Sequence, residues 1–188
     1  TSATGDKGHR GRGSSPTGLT PLGREFCNRI YSAGALVDVS HMSDASFSDL
    51  EPIARKHAAP IVATHSNARA LANHPRNLTD EQLRVIASTG GVAGLNVYRA
   101  FVRRGKKVTL KDVVAQVRHM VKLAGVDHVA IGSDYDGGTP VKALRDASRW
   151  PRLIEALRKD GFGDAELRKI FAENAMRVLS WRPSPAQP

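Results

Sequence analysis

Ala35-Leu36-Val37-Asp38-Val39-Ser40-His41 is a short apolar run that breaks abruptly into Asp, Ser and His. Pro60-Ile61-Val62-Ala63-Thr64-His65-Ser66 repeats the pattern, and Val129-Ala130-Ile131-Gly132-Ser133-Asp134 gives a third version. Each reads as a buried strand that ends in chemistry. Parallel strands buried on both faces appear as near-continuous apolar runs. Open α/β sheets and (β/α)8 barrels carry their active sites at the carboxyl ends of such strands. The rest of the chain is expected to hold these three ends side by side.

The segments between the strands carry helical signals. Thr20-Pro21 is an N-cap followed by proline at the first helical position. Leu22, Phe26, Ile30 and Ala33 then form an apolar stripe at helical spacing, and Gly34 stops it. Ser43 or Asp44 caps a helix with Phe47, Leu50, Ile53 and Ala54 inward, and Pro52 inside it predicts a kink or an early break. Thr79 stands three residues before Gln82, as in a capping box. A fourth strand is expected over residues 92–97, a long helix from Thr109 to Ala124, and helices over 151–159, 164–171 and 174–180. The strands at 36–39, 61–64, 92–97 and 128–132 thus alternate with helices, which implies right-handed βαβ units and a parallel sheet. Four such units are half of a (β/α)8 barrel, a partial TIM barrel. The chain opens on a helix, so the strand which that helix should follow is missing.

The bulk numbers bound the answer. The 188 residues form one domain large enough to bury a core. Residues 1–18 are rich in Gly, Ser and basic side chains and read as a flexible or loop segment. Residues 19–182 carry the fold, and 183–188 read as a disordered tail. No apolar run approaches the roughly 18 residues of a membrane helix. Thr1 is not a natural start, so the chain is expected to be part of a longer protein. Cys27 is the one cysteine, which excludes an internal disulfide and a cysteine-based metal site and suggests a small core residue.

If the strands are parallel, His41, His65 and Asp134 project from one rim, with Asn96 on the strand between. Two imidazoles on adjacent strands with a carboxylate further round suit a divalent metal such as zinc. For a single histidine, a core or capping role would be the simpler account. Two at equivalent strand ends, each beside a serine, favour the metal.

These residues also carry a family pattern. Asp38-Val39-Ser40-His41, Thr64-His65-Ser66-Asn67-Ala68-Arg69-Ala70, His74-Pro75-Arg76-Asn77-Leu78-Thr79-Asp80 and Gly132-Ser133-Asp134-Tyr135-Asp136-Gly137 together resemble the zinc-dependent renal (membrane) dipeptidase family of the amidohydrolase superfamily. Gly18-Leu19-Thr20-Pro21-Leu22-Gly23-Arg24-Glu25 resembles its sequence ahead of the same helix. The resemblance implies hydrolysis of dipeptides by a zinc-activated hydroxide at a binuclear zinc site on the C-terminal rim of a (β/α)8 barrel. His41 and His65 match two histidines that hold one zinc. Arg76 matches the arginine that binds the carboxylate of the dipeptide substrate, a role suited to a permanently charged, bidentate donor. Asp134 matches the active-site aspartate that handles protons, with Asp136 as its near competitor.

The family also has a His-x-Asp pair on its first strand, a metal-bridging Glu on its third and a further active-site His. None of the seven histidines here fits the His-x-Asp pattern. The chain therefore resembles the C-terminal half to two-thirds of such an enzyme and is expected to be inactive without its N-terminal half. An unpaired sheet edge would also invite association, a homodimer included. The alternative is a basic α/β binding module, because the net charge is +10 and Arg99, Arg103, Arg104, Lys106, Lys107 and Lys111 cluster without an acidic neighbour before Asp112. Lys7, Arg10 and Arg12 add to it in the N-terminal segment. A basic patch interleaved with aromatics, the usual mark of nucleic-acid binding, is missing, so no nucleic acid is expected.

Overall fold

Hydroxyl side chains open most of the long helices. Thr20 accepts from the Gly23 amide at 3.0 Å and starts α1 (Pro21–Ser32). Ser43 accepts from the Ser46 amide and starts α2 (Asp44–Lys56). Thr79 and Gln82 exchange both capping-box bonds at the start of α3 (Asp80–Ser88). At the start of α5 (Leu110–Ala124) the Asp112 carboxylate accepts from both the Thr109 amide and the Thr109 hydroxyl at 2.8 Å. Each amide so bonded is one that the helix itself leaves without an acceptor. The computed structural model describes residues 17–105 and 107–183. The expected flexible segment up to residue 16, the tail from 184 and Lys106 lie outside these.

Three parallel strands form one sheet in the order β1 (Val62–Ala63), β2 (Val92–Asn96), β3 (Val129–Ser133). Val62 pairs with Val92 and Ala63 with Ala93, while Ala93 to Leu95 pair with Val129 to Ile131. All five residues of β2 are buried, as the apolar runs predict. Leu83 and Ile86 of α3 and Val113, Val117 and Met120 of α5 cover the sheet, and Leu153 and Leu157 of α6 (Trp150–Lys159) join the same buried cluster. Each such side chain stabilises the fold by about 1.5–3 kcal/mol relative to exposure. A short α4 (Arg99–Val102) follows β2, and α7 (Asp164–Arg168), a π-helical turn over Lys169–Glu173 and α8 (Asn174–Leu179) close the chain.

The sequence expectations need three corrections. Residues 36–39 are not a full strand; a single parallel bridge joins Asp38 to Val62. The Asp38 carboxylate, rather than a backbone carbonyl, takes the Thr64 amide at 2.9 Å, which ends the ladder there. The described sheet therefore has three strands, not four. Helix α1 buries Gly23, Cys27 and Tyr31 and leaves Leu22 70% and Phe26 48% exposed. Its inward face is turned by one residue because Tyr31 packs against the His57 and Trp181 rings at 5.8 and 6.2 Å. Pro52 does not end α2, which continues to Lys56. Pro52 and Ser48 are both exposed, so the carbonyl deprived of its donor faces solvent. The basic stretch is part helix. It contains α4, and Arg103 pairs with Asp112 at 2.9 Å. Cys27 is a buried free thiol, pushed up in pKa by burial, as a core residue should be.

Candidate active site

Asp38 organises the junction between the two histidine-bearing segments. Its Oδ1 accepts from the Ser40 amide at 3.0 Å, an Asx-type turn, and from the Thr64 amide at 2.9 Å. Its Oδ2 accepts from the Thr64 hydroxyl at 2.6 Å. Ser40 Oγ in turn accepts from the His65 amide at 2.8 Å. The chain is thus locked on both sides of the bridge where His41 and His65 leave it. The outcome is a direct meeting of the rings, with His41 Nε2 and His65 Nε2 3.0 Å apart.

Two glycines make room for this junction. A side chain on Gly94 or on Gly132 would fall on the Thr64 carbonyl oxygen, so the neighbouring strand ends must be bare for the 64–65 peptide to sit over them. Beyond it, the segment from Ser66 to Leu78 is polar but firmly stapled. Arg69 makes a bidentate pair with Asp44 at 2.7 Å and donates to the Asn77 carbonyl at 2.8 Å. The Arg69 bond holds the Asp44 carboxyl below its ordinary pKa.

Arg76 leaves this segment towards the histidines. Its Nε donates to the Ser40 carbonyl at 3.0 Å, and its Cζ lies 5.3 Å from the Phe101 ring centroid, within cation–π range. Its Nη2 is buried without a hydrogen-bond partner. Burial pushes the guanidinium below its ordinary pKa, and the nearby Asp134 and Asp38 carboxylates pull it back. A buried donor left without a bond is costly, and an arriving carboxylate would satisfy it.

Asp134 stands at the end of β3 with backbone in the left-handed region, φ 64°, directly after Ser133 at φ 40°. Strained backbone of this kind clusters at functional sites. The fully buried Asn96 ties it in: Nδ2 donates to Asp134 Oδ2 at 2.9 Å and to the His65 carbonyl at 3.3 Å. Asn67 and Asn96 exchange two further bonds, both between the Asn67 side chain and the Asn96 backbone. Asp136 is exposed and makes none of these contacts. The four residues singled out from sequence are therefore joined in one network: His41 to His65, His65 to Asp134 through Asn96, and Arg76 beside Asp134 by charge and bonded to the Ser40 carbonyl.

A divalent metal fits part of this arrangement. Tetrahedral zinc with nitrogen at about 2.0–2.1 Å spaces its donors roughly 3.3 Å apart. The two Nε2 atoms lie within a few tenths of an ångström of that. Among the described residues, however, no group of three or more His, Cys, Asp or Glu side chains converges. The described residues bring two imidazole nitrogens together, fewer donors than a closed site needs.

Sequence reasoning passes over Asp38, Thr64 and the two glycines. The signal is present in Asp38-x-Ser40, an Asx-turn pattern directly ahead of a candidate ligand. Gly94 and Gly132 give no such signal, because only the folded chain shows what lies above them.

Comparison with known proteins gives the family. The family model described as membrane dipeptidase (peptidase family M19) matches residues 1–182. A curated but uncharacterized protein in the pqqA 5′ region of Klebsiella pneumoniae is 42% identical over 166 residues, 86% of this chain and 60% of that protein. A metallo peptidase from Rhodobacter sphaeroides, solved with a phosphinate mimic of the dipeptide L-Ala-D-Ala, superposes with a TM-score of 0.83 at 35% identity and covers 90% of this chain. A probable dipeptidase from Pseudomonas aeruginosa superposes at 0.79 with 26% identity over 86% of the chain. The chain spans about half of these solved structures, 48% and 54%. The chain belongs to the membrane dipeptidase family.

Proposed function

We propose that this chain is the C-terminal part of a metal-dependent dipeptidase and carries one half of its active site. The observation that carries this is the meeting of His41 Nε2 and His65 Nε2 at 3.0 Å beside an arginine with a buried, unsatisfied donor. His41 and His65 would hold one zinc ion of a binuclear centre. A zinc ion bound there would supply Lewis acidity and lower the pKa of a water ligand towards neutral.

The other steps belong to the chain's own groups. Arg76 binds the substrate's terminal carboxylate through Nη2 while Nε stays on the Ser40 carbonyl. Phe101 backs the guanidinium and keeps its plane fixed. Asp134, held by Asn96, takes a proton from the attacking water or passes one to the leaving amine. Asn96 fixes the distance between that carboxylate and the His65 backbone.

An open sheet supports the view that further chain is needed. β3 is an edge strand, paired only with β2 among the described residues. Leu22, Phe26, Met176 and Leu179 are all exposed. The partial (β/α)8 barrel would be completed by an N-terminal half that supplies the remaining metal ligands. Metal analysis by mass spectrometry and a dipeptide assay on the zinc-equilibrated chain test this. The expected result is about one zinc ion or fewer per chain and no hydrolysis until the N-terminal half is added. Two zinc ions per chain with chelator-sensitive hydrolysis would show that the site is complete without it.

A further inference from the structure

We propose that Asp38, Thr64 and His65 form a positioning relay that fixes the His65 ring with its proton on Nδ1 and its lone pair on Nε2. The tautomer follows from hydrogen-bond chemistry alone; its consequence for metal binding rests on the function proposed above.

Thr64 Oγ1 lies 2.6 Å from Asp38 Oδ2 and 2.7 Å from His65 Nδ1. A hydroxyl has one proton to give, and a carboxylate can only accept. The Thr64 proton therefore goes to Asp38. The Thr64 oxygen can then only accept from the ring, so Nδ1 carries the hydrogen. A neutral imidazole has one N–H, which leaves the lone pair on Nε2, the atom that faces His41 Nε2 at 3.0 Å.

The relay has a fixed base. Asp38 Oδ1 is bonded to the Ser40 and Thr64 amides, and the Ser40 hydroxyl holds the His65 amide. The ring's backbone, its Nδ1 and the carboxylate behind the hydroxyl are thus set by one another. Metal-ligating histidines depend on such a partner on the other ring nitrogen, and its loss costs about 10–100-fold in metal affinity. Asp38 and Thr64 are exposed in this chain, so water competes for the hydroxyl and the lower end of that range applies.

Asp38→Asn gives the sharpest test. The new carboxamide could still accept both amide bonds through its oxygen, but towards Thr64 it would present an NH2 group. The hydroxyl would then accept from residue 38 and donate to the ring, which moves the ring proton to Nε2. Thr64→Val removes the link, and Thr64→Ser keeps it.

The readout is the 15N shift pair of the His65 ring in the metal-free chain, at a pH where the ring is neutral, with zinc affinity measured by chelator competition. We expect Nδ1–H in the wild type and in Thr64→Ser, Nε2–H in Asp38→Asn, and a mixture in Thr64→Val. Zinc affinity should fall about tenfold in Asp38→Asn and Thr64→Val and recover in Thr64→Ser. A purely structural role would lower the melting temperature and leave the 15N pattern alone. An Nε2–H ring in the wild type, or an unchanged pattern in Asp38→Asn, overturns the relay. A shifted pattern with zinc affinity equal in all four proteins keeps the relay and removes its link to metal.

Discussion

His65 reaches the candidate site from a strand end pinned by side chains, whereas Asp134 reaches it through backbone in the left-handed region. On the His65 side, Asp38, Ser40 and Thr64 make five bonds of 2.6–3.0 Å within the junction. On the Asp134 side, two consecutive residues sit at positive φ and one amide, Asn96, restrains the carboxylate. The first side can be altered by changing chemistry at constant shape. The second is best altered through the atoms packed around it.

The glycines give the largest contrast. In Gly132→Ala the new Cβ would land on the Thr64 carbonyl, a backbone atom that cannot swing away. Denaturant unfolding should show a loss of about 3 kcal/mol. A loss under about 0.5 kcal/mol would mean that β3 and the 64–65 peptide are not in close contact. Asn96→Ala is expected to come next, at about 2 kcal/mol. It removes the amide that bonds His65 and Asp134 and the oxygen that accepts from the Tyr98 amide, all in a buried place.

Asp44→Asn should cost about 1 kcal/mol at neutral pH, because the pair with Arg69 is half-exposed. Its pH dependence is the sharper readout. Arg69 depresses the folded pKa of Asp44, so its stabilisation is present above the unfolded value of about 3.9 and is lost as pH falls through the folded value. The gap between variant and wild type should close below about pH 3.9; a constant gap across that range would rule out the pair as its source. The smallest expected effect is that of Gly137→Ala. Its Cβ would meet the Asp134 carboxylate, the free end of a side chain. Stability should change by under about 0.5 kcal/mol, while the Asn96 side-chain amide signals shift as Asp134 moves. Unmoved signals would mean that Asn96 does not restrain Asp134.

The same contrast explains what can be read from the sequence. His41, His65, Arg76 and Asp134 stand in contiguous blocks, three of them at the ends of apolar runs, so pattern and motif both point to them. The α/β alternation and the parallel sheet are legible for the same reason. The strand at 36–39 is over-read because its apolar run is real; a carboxylate takes over the ladder bond, which no periodicity reports. The inward face of α1 is misjudged because Leu22 and Phe26 are more apolar than Gly23, and the outcome turns on Tyr31 meeting His57 and Trp181. The left-handed backbone at Ser133 and Asp134 is invisible in the sequence, since neither residue type demands it.

In the proposed site, His41 and His65 share one metal ion. A chelator-competed zinc titration of the 188-residue chain, beside His41→Ala and His65→Ala, tests it most directly. Zinc binding at about one equivalent or fewer, lost in both variants, is the predicted result. Equal binding in all three proteins would place the metal elsewhere and contradict the claim.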